Sequence, residues 1–155
     1  MRKELETILL EWMKTVHYKG EQAIDTFGTG PFEDLEDRNA IITVQDPLTN
    51  GSLKRGTHQR FTVSCSGKIF FLFRRYDKDG NVIADAEDRF KAVPDITIQM
   101  MAKSPSLGKR LQGGRVDPKA CNSDINTLLK IDSVIYYASQ LNFEYSGRLI
   151  ESEDV

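Results

Sequence analysis

From residue 141 to residue 149 the chain alternates without interruption. Leu141, Phe143, Tyr145 and Leu149 fall on one side, and Asn142, Glu144, Ser146 and Arg148 on the other. A period of two is the mark of a β-strand with one buried face. A slip of one residue would turn every apolar side chain to water, so the pattern itself fixes the register. Residues 59–76 repeat the device. Phe61, Val63, Cys65, Ile69, Phe71 and Phe73 share one parity; Thr62, Ser64, Ser66 and Lys68 share the other, which turns apolar at Phe70 and Leu72. This second stretch is longer than a strand of a small sheet usually is, so a bend or bulge is expected at Gly67. Residues 69–73 are apolar on both sides, which predicts burial on both faces or cover from a neighbouring subunit.

Two one-sided strands need an apolar layer over them. Residues 2–18 supply one: Leu5, Ile8, Leu9, Trp12, Met13 and Val16 follow helical spacing, with Glu4, Glu6, Glu11 and Lys14 on the other side. Acidic residues near the start of this helix suit its dipole. Residues 39–45 read as a short strand ended by Pro47, which cannot donate to a sheet ladder. Residues 19–37 read as irregular. Their Phe27-Gly28-Thr29-Gly30-Pro31-Phe32 segment is turn-rich, and its phenylalanines are expected to tuck the loop onto the core. Residues 48–56, centred on Asn50-Gly51, read as an exposed loop with a positive tip at Lys54 and Arg55.

Asp79-Gly80 followed by Val82-Ile83 signals a hairpin with a short return strand over residues 81–84. Residues 85–115 are least legible. A helical turn fits residues 86–91; from Pro94 either a helix through Met100 or a strand over residues 96–98 fits; Leu107 to Leu111 fits one more turn. Asp124 can cap a short helix over residues 125–129. The last strand region spans residues 133–150, with an interruption near Ala138. The expected fold class is α+β: a mainly antiparallel sheet with a long central strand and a C-terminal strand, packed by the N-terminal amphipathic helix and one or two short helices.

With 155 residues the chain suits a single domain, residues 1–150, followed by an acidic tail, residues 151–155. No apolar run approaches the ~20 residues needed to cross a bilayer, and charged residues interrupt the segment where a secretory signal would be apolar. These features predict folding in the cytosol, away from a membrane. The net charge of −2 argues against free nucleic-acid binding, which usually needs a basic excess. Acids gather at residues 33–37 and 151–154, bases at Lys54-Arg55, Arg74-Arg75 and Lys109-Arg110. Opposed patches of this kind suit self-association or a protein partner.

The constellations that would carry chemistry are thin. Cys65 and Cys121 are the only cysteines and lack metal-site spacing. Cys65 falls on the apolar parity of its strand, where cysteine acts as a small hydrophobe. His17 and His58 have no nucleophile motif beside them. Asp77, Asp79, Asn81 and Asp85 look like a calcium loop, but the glycine stands at position four instead of six and Asp88 stands where the loop needs Glu. Asp85, Glu87 and Asp88 sit in a polar run with no sign of a desolvating pocket. The reading is of a protein that is not an enzyme and carries no cofactor or metal. The alternatives are a small calcium- or ligand-binding module, or a metal-dependent enzyme.

The segment Tyr136-Tyr137-Ala138-Ser139-Gln140-Leu141-Asn142-Phe143-Glu144-Tyr145-Ser146-Gly147-Arg148-Leu149 resembles the closing strand of tail-terminator (neck) proteins of tailed bacteriophages. The N-terminal helix, the strand around Ile41 to Val44 and the strand from Phe61 to Phe73 occur in a similar order. The resemblance implies a virion protein, assembled in the host cytoplasm, whose copies form a hexameric ring. Such a ring caps the tail tube, stops its growth and joins it to head-connector proteins, while DNA passes through the lumen without sequence readout. Near-neutral charge is compatible with that passage, and open sheet edges need partners or protection. The resemblance implies no catalytic residue. By position, Phe70, Leu72, Arg74 and Arg75 are interface candidates, with Lys54 and Arg55 as a docking tip.

Overall fold

The computed structural model describes residues 1–45, 48–49, 62–122 and 128–148. In chain order the elements are α1 (Arg2–Met13), β1 (His17–Tyr18), β2 (Glu21–Gln22), β3 (Thr26–Thr29), β4 (Arg38–Val44), β5 (Leu48–Thr49), β6 (Thr62–Arg74), α2 (Ala86–Lys103), β7 (Gly114–Asn122), β8 (Leu128–Ile131) and β9 (Val134–Arg148). β1 and β2 pair as a small hairpin. The other strands form one sheet in the order β3-β4-β6-β9-β7, with β5 beside β6 and β8 beside β9. Every pairing is antiparallel except β3 with β4. The fold is α+β, as the sequence predicts.

The two alternating strands are the centre of the sheet. β6 and β9 pair over thirteen residues of β6, from Thr62 against Arg148 to Arg74 against Tyr136. Their apolar parities coincide: Cys65 faces Tyr145, Ile69 faces Leu141 and Phe73 faces Tyr137. Both helices lie over this side. α1 buries Leu5, Leu9, Trp12 and Met13 there, and α2 buries Phe90, Val93 and Met101.

Several expectations are corrected. The first helix ends at Met13, because Thr15 folds back onto the Trp12 carbonyl through both its amide and its hydroxyl; His17 and Tyr18 then enter β1. The segment of residues 19–37 is not wholly irregular, since Thr26–Thr29 form an edge strand. Phe27 packs on the main core and Phe32 on a second cluster, so both phenylalanines do anchor the segment. The register with β9 runs unbroken through Gly67, while the ladder with β4 ends on it, at Val44. Gly67 is required for a different reason: a Cβ there would strike the Phe143 ring and the Thr43 carbonyl oxygen. Residues 81–84 make only an isolated bridge, Tyr76 with Val82, although the turn itself forms, with Gly80 at φ +80°.

Among the described residues α2 is the longer helix; it runs through Pro94, joins the expected helical turn at 86–91 to the helix through Met100, and excludes the strand over 96–98. Proline removes one amide donor but not the burial that holds the helix. Leu107 and Leu111 sit in a turn with Leu107, Gly108 and Lys109 all at positive φ, not in helix. Leu128 and Leu129 belong to β8, not to a helix. β9 passes Ala138 without interruption. The acidic tail, Phe61, Leu149, His58, Asp124 and the Lys54-Arg55 loop lie outside the described residues.

β3 and β4 are parallel neighbours, so residues 30–37 must carry the chain back along the strands before β4 can start. They do so over the side the helices leave open. Phe32 and Leu35 pack there against Ile41, Leu72 and Tyr136. Asn39 holds the return: its Oδ1 accepts from the Glu36 amide at 2.8 Å, and its Nδ2 donates to the Glu36 carbonyl at 2.8 Å and the Leu72 carbonyl at 3.0 Å.

Candidate functional site

The polar parity of β6 and β9 builds the open face of the sheet. Cross-strand neighbours there are Ser66 with Glu144, Lys68 with Asn142, Phe70 with Gln140 and Leu72 with Ala138; Thr43 and Ile41 of β4 extend the rows. The two ends of the face differ. At one end Ile41, Leu72 and Tyr136 are buried beneath the return loop, forming a second small core. At the other end lies a groove of about 620 Å³, lined by Thr43, Gln45, Ser66, Lys68, Lys119, Gln140 and Asn142 among others.

Phe70 stands at the boundary. It is half-buried, meets the Phe32 ring edge to face at a centroid distance of 5.3 Å, and lines both the groove and a smaller apolar pocket of about 190 Å³. In the groove the Gln140 amide donates to Asn142 Oδ1 at 2.8 Å. Lys119 is the extra residue of a β-bulge between Pro118 and Ala120, and the bulge brings it to the groove. Its ammonium is 4.0 Å from Glu144. Lys68 forms no ion pair among the described residues.

The interface candidates are divided by the sheet. Phe70, Leu72 and Arg74 belong to the open side. Leu72 is 1% exposed, so one protomer already covers it. Arg74 donates through Nε to the Tyr76 carbonyl at 2.6 Å and lines a charged cleft with Glu21, Asp37, Arg38, Asp85 and Arg89. Arg75 lies on the helix side, over the rings of Tyr76 and Tyr137 at 5.3 and 5.7 Å. The groove residues Gln45, Gln140, Asn142 and Lys119 escaped the sequence reading. The signal for two of them was present, since Gln140 and Asn142 occupy the polar parity of the C-terminal strand.

The charged cleft is a structural tie. Arg89 is 4% exposed; its Nε donates to Asp85 at 2.7 Å, its Nη2 to Glu21 at 3.2 Å, and its guanidinium lies 5.0 Å from the Tyr18 ring centroid. It thereby fastens the β1–β2 hairpin to α2. The hydrogen bond from Arg89 holds the Asp85 carboxyl below the ordinary carboxylate range.

The residues singled out for chemistry are engaged locally. Asp77 Oδ1 accepts from the amides of Asp79 and Asn81, both at 2.9 Å, which is the bonding of a tight turn. Asp85 is held by Arg89. Among the described residues no group of three or more His, Cys, Asp and Glu side chains is placed to share a metal. His17 is exposed, with Nδ1 2.7 Å from the Thr15 carbonyl oxygen. Cys65 is buried, and burial, with the nearby Glu144 charge adding to it, pushes its thiol up to about 11. Among the described residues no helix is long and apolar enough to cross a membrane. No protein-family model and no curated protein matches the sequence.

Proposed function

We propose that this chain is a structural subunit that works by assembling with copies of itself, and that the assembly is a hexameric ring capping a phage tail tube and joining it to the head. The resemblance of the C-terminal strand and of the element order supports the phage setting. The open face carries the assembly reading. A sheet covered by two helices on one side leaves Phe70 half-exposed beside a wide groove on the other. The sheet edges suit added strands poorly. β3 is four residues long, and β7 carries Pro118, a bulge and the exposed bases Arg115 and Lys119, features that discourage edge pairing. A partner therefore meets a face.

Native mass spectrometry across a concentration series tests the reading. The expected mass is near six protomers. Phe70→Asp places an unpaired charge in the contact, at about 3–5 kcal/mol, and is expected to return the assembly to protomers with an unchanged circular-dichroism spectrum. A wild-type chain that remains a lone protomer at every concentration would overturn the proposal.

A further inference from the structure

The groove on the open face is lined by two bases, one of which, Lys119, stands 4.0 Å from Glu144 at the rim. Lys68 and Lys119 are its charged lining residues, set among the amides of Gln45, Gln140 and Asn142. In a chain of net charge −2, this is a local anion-attracting surface whose amide and ammonium donors match carboxylate oxygens.

The complementary charge stands on the same side of the molecule. Glu33, Asp34 and Glu36 are exposed on the return loop, and among the described residues none of them forms an ion pair. Their support is fixed. Phe32 and Leu35 are packed into the second core, and Asn39 holds the Glu36 backbone through two hydrogen bonds. Carboxylates on such a support lose little freedom on docking. Within one protomer none of the three pairs with Lys68 or Lys119; the loop is anchored to its own sheet beside the groove, not in it.

We infer that the acidic loop of one copy, through Glu33, Asp34 and Glu36, seats in the Lys68–Lys119 groove of a second copy. The inference rests on the self-assembly reading above and names its contact. Phe70, at the end of the groove, supplies the apolar part of the same interface, and the charged pairs steer and register it. Association is accordingly weakened by salt.

Two charge-reversed proteins test this: Lys68→Glu with Lys119→Glu, and Glu33→Lys with Asp34→Lys and Glu36→Lys. Their masses are followed by light scattering at low and high salt, with circular dichroism as the check on folding. Each alone is expected to associate at least tenfold more weakly than wild type. Mixed in equal amounts they are expected to recover assembly, because the mixture again offers opposite charges at every contact. If a reversal variant fails to fold, Lys68→Gln with Lys119→Gln replaces the groove variant, with weaker association expected. A wild-type oligomer matched by both variants would overturn the contact and leave self-assembly standing. A wild-type protein that never associates would overturn both. A labelled single-stranded DNA that binds wild type and is lost on groove reversal, with no recovery on mixing, would assign the groove to nucleic acid and overturn the inference.

Discussion

Phe70 and Phe71 are adjacent on β6 and face opposite ways. On the helix-covered side the strand contributes Val63, Cys65, Ile69, Phe71 and Phe73, each at most 3% exposed. On the open side it contributes Ser66, Lys68 and Phe70, none of them buried. The covered side is closed by two helices totalling thirty residues; among the described residues the open side has only the return loop over one end. One face of the sheet thus does the work of folding, and the other keeps a surface that the described residues leave uncovered. Leu72 shows where the two meanings cross, since it has open-side parity yet is buried under the lid.

The sharpest break of this contrast is a pair of truncations on neighbouring residues. Phe71→Ala is expected to cost about 3–5 kcal/mol in urea denaturation, the range for a fully buried phenylalanine. Phe70→Ala, which gives up mainly the edge-to-face contact with Phe32, is expected to cost about 1 kcal/mol. Equal losses would mean that the faces are energetically alike. Gly67→Ala comes next, at about 1–3 kcal/mol, because the added methyl must displace the Phe143 ring or the Thr43 carbonyl. Its effect is expected in thermal unfolding.

A smaller effect concerns pH. The Asp85 carboxyl is held low by Arg89, so its contribution to stability is complete above the ordinary carboxylate range and is lost as pH falls through the lowered value. Asp85→Asn is expected to flatten the acid side of a melting-temperature profile while leaving its shape above neutrality unchanged. The smallest effect is on the covered face. With its thiol near 11, Cys65 is ionised on the order of one part in a thousand at pH 8. A thiol reagent is expected to leave it unmodified until urea unfolds the chain; rapid labelling in the native protein would show that the covered face opens.

What was legible in the sequence follows the same division. The strand cores of β6 and β9 were readable because burial of one side imposes period two, and α1 because its apolar stripe is uninterrupted. α2 was legible only in pieces, as a turn over 86–91 and one of two options from Pro94, although Ala86, Phe90, Val93, Thr97 and Met101 keep helical spacing. Pro94 reads locally as a breaker, and the polar Arg89 and Thr97 obscure the stripe. Their partners emerge only in the folded chain: Arg89 meets Asp85 through Nε and Glu21 through Nη2, and the Thr97 hydroxyl donates to the Val93 carbonyl at 2.8 Å. β7 was hidden by the proline and charges that protect an edge. β3 looked like a loop because Gly28 and Gly30 suggest turns. The groove needed the register, which alone brings Lys68 beside Asn142 and the bulged Lys119 into reach.

The parallel entry of β3 has a consequence for how such a surface can change. The return segment is obliged to lie on the sheet, but the residues that fasten it, Phe32, Leu35 and Asn39, are distinct from the carboxylates it displays. Anchorage and display can therefore diverge independently. Lineages of this fold are free to rewrite the outward charges, and so exchange one neighbour for another, without disturbing the path the backbone must take.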